Sequence, residues 1–338
     1  MEIEDKKTSK NFMLRTWKTV RKSKNTNIFF VLVFLIIIAT IFSPYFFTVY
    51  NITSIVRDLA FIGLITLGQS CLLISGDLDL SVGSIAALSG VFGGIVMTKT
   101  PINPFIVFIM MIILGGIFGF INGTIITRLN LNALIVTIGM SGIYLGVNLI
   151  ITKGRAVIGI PESIYYLGQG TPGGVPMPFI IMVCLLIVII FITRYTKLGR
   201  YMYAIGDNKE AAYILGVNVH LNRTIVFAIT GMLAALAGML VTARLGTAQP
   251  GIATDWPLNS IAASVIGGVS LVGGIGNPLG AIIGAAIIVI IQNIIVLFGV
   301  SPYFQTAVSG VVVVLAISFD SISIMIASRR RQKIKSNS

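Results

Sequence analysis

The sequence predicts an all-α integral membrane protein of about ten transmembrane helices. Three observations carry that expectation. Only 10% of the 338 residues are charged and 56% are hydrophobic, against roughly 25% charged residues in soluble domains. The mean hydropathy is +0.97. Apolar runs near the ~20 residues that a helix needs to cross a bilayer recur along the chain. They lie at 28–47, 52–75, 82–98, 104–127, 132–152, 176–195, 224–244, 259–277, 279–299 and 303–322.

Taken in order, the run 28–47 is longer than the ~7–15 apolar residues of a signal peptide and lacks an A-x-A-like site after it. It reads as a retained first helix. The second run, 52–75, ends at a polar break, Gly76-Asp77-Leu78-Asp79-Leu80-Ser81-Val82-Gly83-Ser84. A charged group in the bilayer interior costs at least ~2.5–3.5 kcal/mol on insertion scales, so such residues usually serve a function. One reading is a gate or water-filled path; the other is a short loop in which Asp79 or Ser81 caps the helix from Val82. The third run, 82–98, is short, and the eighth, 259–277, is rich in glycine.

Glycines recur at helix-packing spacing: Gly90 with Gly94, Gly115 with Gly119 and Gly123, Gly142 with Gly146, and Gly280 with Gly284. In lipid, helices associate through close backbone approach at small residues, so these pairs imply a tight bundle. Ser84-Ile85-Ala86-Ala87 recurs as Ser260-Ile261-Ala262-Ala263, and Leu114–Gly119 resembles Leu279–Gly284. The matches join spans three and eight, then four and nine. An offset of five spans is the pattern of an inverted-topology repeat; chance matches in a chain rich in Gly, Ala and Ile give the same pattern. Gln69, Asn122, Asn148, Gln292 and Asn293 fall within apolar runs. Such amides either line a path or tie helices together, at ~0.6–2 kcal/mol each.

The net charge of +13 is concentrated at the two ends. Lys6, Lys7, Lys10, Arg15, Lys18, Arg21, Lys22 and Lys24 precede the first span, and Arg329, Arg330, Arg331, Lys333 and Lys335 follow the last. Cytoplasmic segments carry the Lys/Arg excess. Residues 1–27 and 323–338 are therefore expected as basic cytoplasmic ends flanking a permeation domain at 28–322, which requires an even number of spans. The alternative, a basic tail that binds nucleic acid, is set aside beside membrane spans, and no nucleic-acid partner is expected. Alternation from an inside start places 196–223 inside. Lys197, Arg200, Lys209 and Arg223 there agree with it, whereas Lys153 and Arg155 fall outside against the trend.

Within 196–223, Asp207 and Glu210 have capping-box spacing, and Gly216 suits the left-handed residue that ends a helix. The intervening helix, Asn208 to Leu215, is too short to persist alone in water. Its Ala211, Ala212, Ile214 and Leu215 offer a small apolar face, to be covered by its own loop or by a cytoplasmic partner. Cys71 and Cys184 lie within apolar runs, so no disulfide framework is expected. His220 stands without a cluster of metal-ligating neighbours. No Gly-x-x-x-x-Gly-Lys-[Ser/Thr] phosphate loop occurs in the sequence. No cofactor is expected on this chain, and energy must come from a partner or an ion gradient.

Over nearly its full length the chain resembles the permease subunits of ribose-type ABC sugar importers. The resemblance rests on Gly76–Ser84, on Leu198-Gly199-Arg200-Tyr201-Met202-Tyr203-Ala204-Ile205-Gly206-Asp207-Asn208, on the following Ala211, Ala212, Gly216 and Val217, on Ala243-Arg244 with Gln249-Pro250, and on Gly267-Gly268, Ser270-Leu271 and Gly273-Gly274. Asp207 departs from the Gly common in that family. The resemblance implies a ten-helix fold of the vitamin B12 importer type in a bacterial inner membrane. It implies a second permease copy or a related permease, two cytoplasmic ATP-binding domains that hold ATP and magnesium, and an extracytoplasmic sugar-binding protein. It also implies that Gly206, Asp207, Asn208, Glu210, Ala211, Ala212 and Gly216 form the coupling segment seated in the ATPase.

The expected function is passage of a monosaccharide, ribose first, to the cytoplasm. The candidate gate and path comprise Asp77, Asp79, Ser81, Gly83, Ser84, Gln69, Asn122, Asn148, Gln292 and Asn293. Stripping a sugar hydroxyl of water without replacement costs ~2–7 kcal/mol, so a path must stay wet or offer substitutes. A modified or signalling sugar or a nucleoside is the nearer alternative cargo. An ion-coupled secondary transporter is the more distant one, since it needs ionisable groups near the midplane and Asp58, Asp77, Asp79, Asp255 and Asp320 fall near span ends. A membrane enzyme lacks any set of positioned catalytic groups.

Overall fold

The computed structural model describes residues 24–299 and isolated positions between 304 and 318. The basic ends 1–23 and 323–338 and most of the tenth predicted span lie outside the described residues. The chain forms α1 (Lys24–Phe42), α2 (Val49–Ile74), α3 (Val82–Lys99), α4 (Pro104–Arg128), α5 (Ala133–Thr152), α6 (Tyr165–Gln169), α7 (Met177–Tyr195), α8 (Lys197–Asp207), α9 (Lys209–Ile214), α10 (Val219–Leu245), α11 (Trp256–Ile266) and α12 (Pro278–Leu297). Among the described residues, α2, α3, α4, α5, α7, α10 and α12 are long and apolar enough to cross a membrane.

Short polar side chains mark where these helices begin. Thr48, Asn103, Asn132, Thr196, Asn208, Asn218 and Asn277 each accept a hydrogen bond from a free N–H of the following first turn, which satisfies donors that the helix itself cannot. Pro104 and Pro278 occupy first-turn positions where a missing N–H costs nothing.

Helix α10 is the hub, packed along its length against α4, α2 and α3. Glycine makes that packing close. A Cβ on Gly119 would strike the Phe227 carbonyl, one on Gly115 the Gly231 carbonyl, and one on Gly238 the Ala86 carbonyl. The glycine pairs of α3, α4 and α12 therefore meet neighbouring backbone or side chains as their spacing predicts. The α5 pair does not: Gly142 and Gly146 have nothing within 4 Å. Helices α4, α5 and α7 instead turn Ile113, Phe120, Ile135, Ile150, Ile187 and Phe191 outward, the apolar surface expected of a lipid-facing shell.

Two predicted spans are corrected. The first run ends earlier, at Phe42, because Ser43-Pro44 stops the helix and turns follow. The eighth, 259–277, is helical only as far as Ile266, the end of the 11-residue α11, which is about 16 Å long at 1.5 Å per residue against a hydrocarbon core of ~30 Å. Its second half is irregular because Gly268, Gly273 and Gly274 take φ of +83°, +102° and +71°, and because Gly267 lies against the Gly280 carbonyl where no Cβ fits. The irregular backbone is held by Val269 N–H to Ser264 O, Ser270 N–H to Ile275 O, and Gly274 N–H to Ile74 O, each at 2.9 Å. Non-helical chain is tolerated at membrane depth where protein supplies such partners.

The α4–α10 contact yields the first test. Gly119→Ala places a methyl group against fixed backbone and should cost about 1–3 kcal/mol. Gly116→Ala meets only the flexible Met232 side chain and should cost less. Heat-induced unfolding of the purified protein in detergent is expected to show a clearly lower midpoint for Gly119→Ala alone.

Candidate functional site

The polar break is built from the end of α2 upward. Gly76 turns the chain at φ +77°, and the N–H groups of Gly76 and Asp77 close back on the Leu73 and Leu72 carbonyls at 2.9 Å, the usual way a helix ends at glycine. The chain then doubles back along α2. The Gln69 amide, oriented with its nitrogen toward the Asp79 carbonyl, meets the Asp79 backbone C=O and N–H at 3.2 Å each.

Two carboxylates leave this segment in different directions. Asp77 meets Arg223 of α10 in a forked ion pair, Nε to Oδ2 at 2.7 Å and Nη2 to Oδ1 at 2.6 Å. The two side chains are 3% and 8% exposed, so the pair is closed to solvent. Asp79 accepts from the Ser81 N–H at 2.7 Å, the Ser81 hydroxyl at 2.6 Å and the Asn122 amide at 3.4 Å. Asn122 also donates to the Ser81 hydroxyl at 2.8 Å and accepts from the Tyr144 hydroxyl at 2.9 Å. Asp77, Asp79, Ser81, Gln69 and Asn122 are thus drawn into one buried region that ties the break to α4, α5 and α10. The expected helix cap is corrected: the Ser81 side chain does not cap α3. Asp79 instead engages the N–H two residues on, an Asx turn, because its carboxylate is held inward by Asn122.

The other predicted path residues sit elsewhere. Gly83 is pressed against the Ala253 carbonyl and Pro257. Ser84 shares a 2.8 Å hydrogen bond with Ser141 of α5. Asn148 donates to the Pro250 carbonyl at 3.1 Å. Asn293 exchanges amide hydrogen bonds with Asn51 at 2.7 and 3.1 Å. Gln292 and Asn293 line a separate cavity of about 410 Å³, shared with Ser54, Asp58, Phe61, Arg244, Asp255 and Trp256.

The polar stretch after α7 carries two helices. α8 was not legible as a helix, and it shifts the start of the next one: Asp207 closes α8, and Asn208 caps α9 by accepting from the Ala211 N–H at 2.9 Å. The proposed Asp207/Glu210 capping box is corrected accordingly. Gly216 ends the segment at φ +83° as expected. Ala212 is buried against Ile205 and Val219, so it belongs to the inner side of α9. Tyr213, Ile214 and Leu215 are exposed, at 68%, 81% and 81%. Glu210 and Ala211 are exposed beside them.

Gly206 faces inward instead. A Cβ there would strike the Ile74 carbonyl and the Gly274 N–H group, and Gly273 lies against Gly206 and Gly76. Tyr203 donates to the Gly276 carbonyl at 2.9 Å. The end of α8, the foot of α2 and the irregular half of the eighth span therefore share one glycine junction. Lys209, at the start of α9, donates to Asn130 at 3.2 Å. Burial, together with the Arg223 charge, holds its ammonium below the usual range against the pull of Asp77.

Sequence reading missed Arg223, Tyr144, Arg244 and Trp256 as members of these constellations. For Arg223 a signal existed: Asn218 is a helix cap six residues before the apolar run at 224–244, which places Arg223 inside the helix.

Comparison with known proteins then bears on the arrangement. Residues 51–317 match the family described as branched-chain amino acid transport system / permease component. The chain is 35% identical over 298 residues to the ribose import permease of Haemophilus influenzae, covering 87% of this chain and 92% of that protein. It is 36% identical over 295 residues to the ribose import permease of Bacillus subtilis, covering 86% and 91%. It is 34% identical over 296 residues to the D-allose transport system permease of Escherichia coli K12, covering 87% and 90%. No solved structure matches it.

The Asp79 network predicts a graded loss. Asp79→Ala orphans the Ser81 N–H and hydroxyl, the Asn122 amide keeping its bond to the Ser81 hydroxyl, while Tyr144→Phe removes a single donor to Asn122; each orphaned buried group costs ~1–3 kcal/mol. The unfolding midpoint in detergent should fall more for Asp79→Ala than for Tyr144→Phe, and equal midpoints would contradict the assignment.

Proposed function

This chain belongs to the family described as branched-chain amino acid transport system / permease component and is similar to ribose import permeases, and from that premise we propose that it carries a monosaccharide, ribose first, across a bacterial inner membrane in an ATP-driven importer. The observation that carries the reading is α9, a capped two-turn helix whose Tyr213, Ile214 and Leu215 are turned away from the bundle. Six helical residues and a C-cap that put three large apolar side chains in solvent gain nothing by themselves. A cytoplasmic ATPase seated on them accounts for their exposure.

The motor in this reading is external. The sequence has no phosphate loop, and we assign ATP and magnesium to two partner subunits. A second copy of this chain or a related permease and an extracytoplasmic binding protein complete the importer. We count ten crossings, taking in α1, the half-helical 256–277 and the run 303–322, with both termini cytoplasmic, and we carry over the vitamin B12-type likeness from sequence resemblance alone. Relatives named for ribose, allose and arabinose favour a monosaccharide over the amino acids of the family description.

Movement of the ATPases would act on α9 and, through α8, on Gly206. From there it would reach the Ile74 carbonyl at the foot of α2 and Gly274 in the irregular half-span. Packed backbone with no room for a Cβ transmits displacement rather than absorbing it. An ion-gradient mechanism finds little support at the break, where Asp77 is neutralised by Arg223 and Asp79 is held by three donors.

Two outcomes test this function. Proteoliposomes should accumulate ribose only when ATPase, binding protein and ATP are all supplied; accumulation by the chain alone under an ion gradient would contradict it. Replacing both Ile214 and Leu215 by Ser should reduce ATPase co-purification at least tenfold. It should leave the unfolding midpoint of the permease nearly unchanged, as exposed substitutions do.

A further inference from the structure

Three cations crowd the corner between α7 and α8, in the stretch Arg194-Tyr195-Thr196-Lys197-Leu198-Gly199-Arg200, which holds no acid. Arg194 lies in the last turn of α7. Lys197 and Arg200 stand three positions apart, on one side of α8. All three are exposed. Lysines and arginines near membrane spans can serve orientation alone. Two neighbours of this group have partners in the protein: Arg223 pairs with Asp77, and Lys209 donates to Asn130. Among the described residues, Arg194, Lys197 and Arg200 have no ion-pair partner.

The corner is rigid. The Thr196 hydroxyl donates to the Ile192 carbonyl at 2.7 Å and accepts from the Gly199 N–H at 3.3 Å. A Cβ on Gly199 would strike the Ile192 and Thr193 carbonyls, so α8 leaves the end of α7 backbone against backbone. The three charges are thereby held at the foot of the outward stripe of α7. Ile187, Val188, Phe191 and Tyr195 form that stripe at helical spacing, and all four are exposed. The Phe191 and Tyr195 rings meet at 5.6 Å, and tyrosine favours the level of lipid headgroups.

Apolar stripe, aromatic pair and unpaired cations thus follow one another along α7 in the order of acyl chain, glycerol region and phosphate. A zwitterionic headgroup brings its own cation and gains little from three more. An anionic headgroup needs positive charge, and a guanidinium holds phosphate oxygens in its fork. We propose that the α7–α8 corner is a docking surface for an anionic phospholipid. Arg194, Lys197 and Arg200 engage its phosphate, and an acyl chain lies along Ile187 and Phe191. An acidic protein surface fits less well, because the patch runs straight into the outward apolar face of α7. The bound lipid bears on α8, whose far end carries Gly206. The proposal does not depend on the cargo.

Photo-crosslinking of the purified chain tests it. The protein is placed in phosphatidylcholine nanodiscs with a trace of photoactivatable phosphatidylglycerol or, in parallel, of photoactivatable phosphatidylcholine, and adducts are mapped by mass spectrometry. Each cation beside an anionic headgroup strengthens attraction about fivefold, so adducts within residues 187–200 should be at least ~tenfold more abundant with the anionic probe. Arg194→Gln, Lys197→Gln and Arg200→Gln together should cut that excess to about twofold or less. Lys99→Gln, Lys153→Gln and Arg155→Gln together, which remove exposed cations outside the corner, should leave it unchanged. No anionic excess in the unaltered protein, or equal loss in the two triple variants, would overturn the proposal. So would loss of the ATPase from the corner variant with its lipid excess intact, which would assign the patch to a protein partner.

Discussion

A buried ion pair between Asp77 and Arg223 fixes the rest of this molecule. The chain must reverse after α2 without leaving polar backbone or a lone charge in a low-dielectric interior. Forked pairing at 2.6 and 2.7 Å satisfies both ions and fastens the reversal to α10. Desolvating two charges is expensive, and removing one partner of such a pair typically costs ~3–5 kcal/mol. The pair therefore specifies geometry more than it adds stability. With Asp77 fixed, Asp79 meets Gln69 and Asn122, and α3 starts where Ala86 can sit against Gly238.

The same region links the protein's two faces. α9 continues into α8 through the Asn208 cap; α8 ends on Gly206; Gly206 abuts Ile74 and Gly274. At Gly206 the contacts are backbone against backbone, with no side chain to yield. Toward their opposite ends α2 and α10 are joined again through Asp58 and Arg244. The two most buried helices are thus clamped near both ends, by a buried pair at one end and a partly exposed pair at the other.

Much of this was legible in the sequence. Apolar run length places most spans within a few residues, since bilayer thickness sets helix length. Gly216 and the polar break at 76–84 announce themselves because few residue types suit those positions. The eighth span was not legible as broken, because hydropathy does not distinguish helix from irregular chain; five glycines between 267 and 276 were the available sign. α8 was obscured by its charge, read as loop although its polar residues lie along one side of a helix. Arg223 was taken for an inside-loop cation, since the run-length rule starts the seventh span at 224. Its partner lies 146 positions away, a contact that only the fold supplies. Tyr144 and Trp256 were hidden for the same reason.

The most direct test is a double-mutant cycle on the buried pair, with stability measured by denaturation of the purified protein in detergent. The variants are Asp77→Leu, Arg223→Met and the two together. If the pair holds the reversal, each single change is strongly destabilising and the double variant recovers most of the loss, giving a coupling of ~2 kcal/mol or more. Effects that add to within ~0.5 kcal/mol would show the two residues acting independently and would contradict the account.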